Sequence, residues 1–370
     1  MNRIEQITLS LIRSGLCGEP FTLCPKDDEW KDVFDIASKH GVAAMAFDGI
    51  QANYLSNPDF VSSLDTPSNK SLKYDWFGTG LSAEVAYEKH FDAIADLAAL
   101  YTKNGIKMML LKGYGLSLNY PIPEHRPTGD IDVYLFGQGQ KADEVLQLQT
   151  GTKVKQNGDK HSTFQFEGVS VENHASYINT KVHPDLVRLD VYLKSEAIHA
   201  TPLNMKTKSG EIVTIYLPSL TANALFLPFH CASHFVHGEA SLRQLCDWAC
   251  FVRKYGREIN WDFVWGEAAA AGFEKFYCCL NGIVNRYLSV PEDVLPLWPR
   301  YPSLEDKMLS EVFSQGPEKK LTLIGKIHRF LASSWRYRLV FHGSMFKTFF
   351  RLAKSYLRFN DESARSLWEA

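Results

Sequence analysis

The chain has 370 residues, room for two or three domains and a core large enough to need no disulfide or metal staples. Hydrophobic residues make up 45% and charged residues 22%, a balance that excludes disordered, collagenous and coiled-coil proteins. The net charge of −2 hides an uneven distribution: residues 319–358 hold ten Lys or Arg and no acid, which leaves −10 on residues 1–318.

The amino terminus, MNRIEQITLSLIRSG, places Glu5, Gln6 and Arg13 where a signal peptide needs apolar residues, so it reads as a short helix over 3–15. Helical periodicity returns over 29–53, through Trp30, Val33, Phe34 and Ala37 and then Val42, Met45 and Ala46. The polar stretch 56–71 is the first candidate linker, and a long helix is expected from Ala83 to Lys103, stopped by Asn104-Gly105. The period then changes. IKMMLL at 106–111, apolar but for Lys107, suits a buried strand, and GYGLSLNY suits a short helix. PIPEHRPTG at 121–129 is a loop stiffened by three prolines, and DIDVYLF at 130–136 alternates as a strand does. ADEVLQLQT predicts a helix closed by Gly151, followed by strands at 162–168 and 169–178 that turn at Gly168. LVRLDVYL at 186–193 and EIVTIYL at 211–217 are expected to add strands, and from Leu220 onward the pattern is helical. The longest apolar run, 222–236, is too short to span a membrane and carries two histidines. Seven cysteines, odd in number and without a C-x-x-C pair, read as buried thiols of a soluble, cytoplasmic protein.

The chemistry centres on TGDIDVY at 128–134. Asp130 and Asp132 stand two apart on an expected strand, so both carboxylates leave one face while Ile131 and Val133 enter the core. Carboxylates aimed together repel, and a cation between them relieves this; hard oxygen ligands favour Mg²⁺, which reaches over to substrate phosphates. Gly129 lets a backbone or phosphate approach closely. Upstream, Lys112-Gly113 stands where a strand hands over to a helix, a junction that offers free N–H groups and a positive dipole end to an anion. Arg126 can clamp a second phosphate oxygen, or can simply pair with Glu124.

LLKG at 110–113, YPIPEHRPTGDIDVY at 120–134 and VENH at 171–174 resemble the bacterial nucleotidyltransferase-like family of the DNA polymerase beta superfamily. His234 and LCDWA at 245–249 resemble its later helical motifs, and the likeness runs over about residues 25–315. The wider superfamily carries Gly-Gly or Gly-Ser where this chain has Lys112-Gly113, which is the form of the narrower family. The resemblance implies a mixed sheet flanked by helices and two-metal transfer of a nucleotidyl group.

Such chemistry needs a third carboxylate on a neighbouring strand. Glu172 matches the family's acidic position, and Asp190 is its rival. His174 shares a face with Glu172 and can orient it or the acceptor, or be a satisfied structural histidine; His161 is open to the same two readings. The expectation is an α+β protein: a polymerase-beta-like core at 101–218 between a helical region at 1–100 and a helical domain at 219–316, with a basic amphipathic tail at 317–370. Asp130, Asp132 and Glu172 are expected to hold two Mg²⁺ ions, and Lys112, Gly113, Arg126 and Gly129 a nucleoside triphosphate such as ATP. The alternative is a nucleotide- or membrane-binding protein without turnover.

A competing metal constellation is His230 and His234, four apart on a helix, with His237 nearby and Asp247 from the next helix. In residues 319–358 the cations alternate with aromatic and aliphatic side chains. That pattern suits an anionic membrane surface, a nucleic-acid strip, or docking on the acidic body. The acidic charge of the core disfavours a nucleic-acid polymerase.

Overall fold

The computed structural model describes residues 1–20, 23–54, 62–157, 161–180, 183–296, 298–314 and 334–341. Three helices open the chain: α1 (Arg3–Cys17), α2 (Trp30–Lys39) and α3 (Ala43–Tyr54). Asn2 starts α1 with a capping box, its side chain accepting the Glu5 N–H while the Glu5 carboxylate accepts the Asn2 N–H, both at 2.9 Å. α1 and α3 cross at glycines. A Cβ on Gly15 would lie 2.1 Å from the Met45 carbonyl oxygen, and one on Gly49 2.1 Å from that of Leu11, so the two backbones touch only because side chains are missing there.

The long helix α4 (Lys70–Lys103) begins at Lys70 rather than Ala83, so the expected linker ends in its first turn. Asn104 and Gly105, the latter at φ 67°, turn the chain into β1 (Met109–Leu110), which takes only two of the five apolar residues at 106–111. Then come the single turn α5 (Tyr114–Ser117), β2 (Ile131–Tyr134), α6 (Gly139–Thr150), β3 (Lys155–Asn157), β4 (His161–Phe166) and β5 (Val169–His174).

The strand expected at 186–193 is instead a turn leading into a helix, α7 (Val187–Ser195). LVRLDVYL fits both periods, and burial decides between them. Leu186, Leu189, Asp190 and Leu193 face inward at helical spacing, while Val187 and Val191 are exposed. β6 (Thr201–Lys206) was not expected from TPLNMK, where only Leu203 and Met205 alternate and Pro202 breaks the run; it forms a hairpin with β7 (Ile212–Leu217). The chain continues as α8 (Leu220–His237), α9 (Leu242–Tyr255), α10 (Trp261–Ala271), α11 (Glu274–Leu288), α12 (Pro302–Ser314) and α13 (Ser334–Val340).

The architecture is α+β, with a seven-stranded mixed sheet in the order β3-β4-β5-β2-β1-β7-β6. β2 lies antiparallel to β1 and parallel to β5. On one face Ile131, Val133, Val171, Phe164 and Ile215 pack with Ile94 and Leu97 of α4 and with Ala142 and Leu146 of α6. On the other, helices from both ends of the chain share one apolar core, which Met109 and Tyr134 of the sheet also join. That second face is thus covered by helices at Tyr134 and open toward Asp130.

Among the described residues, no helix is long and apolar enough to cross a membrane. Of the basic segment 319–358, only residues 334–341 are described, and these pack on the body. Arg336 donates to Glu311 at 2.9 Å, the Trp335 and Phe235 rings are 5.5 Å apart, and Phe341 stacks on His183 at 4.0 Å. The rest of that segment, and with it the membrane and nucleic-acid expectations, lies outside the described residues.

Candidate active site

The β2–β5 ladder sets Asp132 directly beside Glu172 and Tyr134 beside His174. The β4–β5 ladder then sets His161 beside His174 and Thr163 beside Glu172. Because side chains alternate along a strand, Asp130, Asp132, Glu172, His174 and His161 emerge on the same open face. The opposite face of the same strands is tied down by Asp143 of α6. One of its oxygens accepts from Ser162 at 2.9 Å and Asn173 at 3.0 Å, and the other from Gln156 at 2.9 Å.

Asp132 is buried, and its Oδ1 accepts from Lys112 Nζ and lies against His174 Nε2, both at 2.9 Å. Burial alone would raise its pKa, but the Lys112 charge and the His174 hydrogen bond hold it well below the usual carboxylate range. Glu172 Oε2 is 3.2 Å from His174 Nε2, and its Oε1 is 4.0 Å from His161 Nε2. The His174 hydrogen bond lowers the Glu172 pKa, burial opposing it. Asp130, exposed at the mouth of β2, moves the other way: partial burial and then the charges of Glu172 and Asp132 raise it. Two imidazoles and three carboxylates, one of them destabilised by its acidic neighbours, form a donor set that fits divalent cations.

A narrow cleft beside the acids is lined by His90, Lys112, Gly113, Thr128, Gly129, Asp130 and Asp132. Gly113 has φ 61° and ψ −121°, a conformation that side chains rarely allow. A Cβ added there would sit 3.6 Å from the Asp130 carbonyl oxygen, an ordinary contact, so the backbone conformation and not crowding calls for glycine. His90 Nε2 of α4 lies 2.6 Å from the Gly129 carbonyl oxygen and holds that side of the cleft. The helix after Gly113 is one turn long, so the expected dipole end is small, and attraction for an anion falls mainly to Lys112.

Arg126 departs from its expected place. Its guanidinium is buried and donates to both oxygens of Asp247, at 2.7 and 2.9 Å, not to Glu124 and not into the cleft. Tyr120 donates to the same Asp247 at 2.7 Å. The neighbouring His125 is fixed in the other direction, Nδ1 lying 2.7 Å from Asp48 and Nε2 3.3 Å from Glu84. The proline-rich loop is therefore clamped between helices from the two ends of the chain.

Asp190 is not available as a third carboxylate. It is buried on α7, accepts the Ile178 N–H at 3.0 Å and pairs with Lys194 at 2.8 Å. The competing histidine constellation does not assemble either. The His230 and His234 rings meet edge to face at 4.4 Å and His234 pairs with Glu239 at 3.3 Å, while Asp247 is held by Arg126 and Tyr120. Sequence reasoning missed Arg243. It lies one turn before Asp247 on α9, and burial and then the Arg126 charge lower its pKa. Its i, i+4 spacing from Asp247 was the only available signal.

Fold and site together describe an α+β protein with an acidic trio on one face of the central strands of a mixed sheet, next to a lysine–glycine turn. Residues 26–289 match the family described as uncharacterised nucleotidyltransferase, and the chain belongs to that family. No curated protein and no solved structure matches the chain. Family membership makes nucleotidyl transfer its general role and a nucleotide its substrate class.

Proposed function

We propose that the protein transfers a nucleotidyl group from a nucleoside triphosphate, in the first instance ATP, to an acceptor hydroxyl, on a polymerase-beta-like core at about residues 101–218. The observation that carries this reading is the lateral pairing of Asp132 with Glu172, with Asp130 on the same face. Asp130, Asp132 and Glu172 are the residues that would hold two Mg²⁺ ions. Such ions, when bound, neutralise triphosphate charge and make an acceptor hydroxyl more acidic.

Lys112 is placed to exchange its contact with Asp132 for a phosphate oxygen, and Gly113 and Gly129 leave room for the triphosphate against the backbone. Arg126 acts at one remove, by fixing the loop that delivers Asp130. The acceptor oxygen bonds to the α-phosphorus as the α–β phosphoanhydride bond breaks; pyrophosphate leaves, and the hydroxyl proton passes to Glu172, which its histidine neighbours keep ionised. Catalysis then rests on positioning and charge neutralisation. Asp130→Asn and Asp132→Asn should each reduce transfer on the order of a hundredfold or more, with unchanged circular dichroism. Full activity in either variant would sink the assignment.

One contact favours a second reading. The Lys112–Asp132 ion pair already neutralises the central carboxylate, as in a protein that binds nucleotide without turning it over. Tight ATP binding with no transfer to any component of a cell extract would establish that alternative.

A further inference from the structure

The acidic trio has an imidazole neighbour on each of two adjacent strands. His161, Glu172 and His174 offer three ligand atoms that all lie within 4.8 Å of one another. The arrangement follows from register: His161 and His174 are direct partners across the antiparallel β4–β5 ladder, and Glu172 is two residues before His174 on the same face. The two rings are 5.4 Å apart, tilted by 34° and not stacked. His174 is buried, and although its Nε2 meets Asp132 and Glu172, its buried Nδ1 has no hydrogen-bond partner among the described residues. A histidine kept only for packing normally has both nitrogens satisfied. This one has a carboxylate on either side of a single nitrogen.

We propose that His161, Glu172 and His174 form a mixed nitrogen–oxygen cation subsite beside Asp130 and Asp132, and that it selects first-row transition ions, Mn²⁺ among them, over Mg²⁺. Imidazole nitrogen binds first-row transition ions, Mn²⁺ most weakly and the later ions more strongly, whereas all-oxygen sites suit Mg²⁺. The inference rests on the assignment of Glu172 to the cation-binding trio and adds two ligands to it. A nitrogen ligand binds metal only in its neutral form, so a cation at this place displaces the hydrogen bond that His174 makes to Asp132.

The experiment uses the full chain stripped with chelator, without nucleotide or acceptor. Mn²⁺ and Mg²⁺ are titrated into wild type, His161→Ala and His174→Gln, followed by calorimetry and by loss of the free Mn²⁺ resonance signal. Wild type is expected to bind Mn²⁺ more tightly than Mg²⁺. His161→Ala is expected to weaken Mn²⁺ by about tenfold or more while leaving Mg²⁺ nearly unchanged. Electron-spin-echo modulation on wild-type protein with Mn²⁺ is expected to show coupling to imidazole nitrogen, a readout that needs no variant to fold. Absence of that coupling, or equal Mn²⁺ affinity in wild type and His161→Ala, overturns the proposal. Nitrogen coupling in a protein that transfers nothing would leave the subsite standing and remove the proposed function; Mg²⁺-supported transfer without nitrogen coupling would do the reverse.

Discussion

Arg126 and Asp247, 121 residues apart in the chain, form a buried two-pronged ion pair at 2.7 and 2.9 Å. It ties the loop that delivers Asp130 to helix α9. Removing one partner strands the other charge in the interior, so Arg126→Ala or Asp247→Ala should each cost about 3–5 kcal/mol of stability in urea unfolding. Arg126→Met combined with Asp247→Leu should recover part of that loss, because neither member of the pair is then left unpaired, although Tyr120 loses its acceptor. An Arg126→Ala protein of unchanged stability but weakened nucleotide binding would instead return this arginine to the triphosphate.

The other half of the clamp depends on pH. The hydrogen bond to Asp48 raises the pKa of His125 despite partial burial. Burial raises Asp48 as well, which weakens the pair without reversing the direction at His125. A histidine whose folded value exceeds its unfolded value of about 6.5 contributes stability fully below that pH and loses it as pH rises through the folded value. The stability that His125 contributes should therefore fall as pH is raised above about 6.5, so the difference in melting temperature between wild type and His125→Asn should shrink over that range. A constant difference would assign the pH dependence to other groups.

Gly113 is held at φ 61° beside Asp130. Gly113→Ala should cost about 1–3 kcal/mol, since the alanine cannot adopt that conformation without strain. Nucleotide affinity should fall with it, because any relaxation moves the Lys112 backbone. The packing counterpart is Gly49→Ala, whose Cβ would meet the Leu11 carbonyl. It should destabilise by about 1–3 kcal/mol or more while sparing nucleotide affinity in the folded fraction. Calorimetric melting and ATP titration on the two variants separate the effects.

The acidic face was legible because its signal is local. The two-residue spacing of Asp130 and Asp132 on an alternating strand needs no tertiary information, and the place of Glu172 beside Asp132 follows once β2 and β5 pair. What the sequence hid was decided at long range. LVRLDVYL satisfies both periods, and only the packing of Leu189 and Leu193 selects the helix that takes Asp190 away from the site. Arg126 looked like a phosphate ligand because its partner Asp247 lies on a distant helix. β6 alternates only at Leu203 and Met205 and includes Pro202, too short a signal to identify a strand without the ladder that β7 offers.

The central claim is that the acids of β2 and β5 support nucleotidyl transfer. It is tested most directly by incubating wild-type protein and Asp130→Ala in cell extract with divalent cation and ATP labelled at either the α or the γ phosphate. The account predicts that acceptor label appears only from the α position and disappears in the variant. Label arriving from the γ position, or α label undiminished in Asp130→Ala, would contradict it.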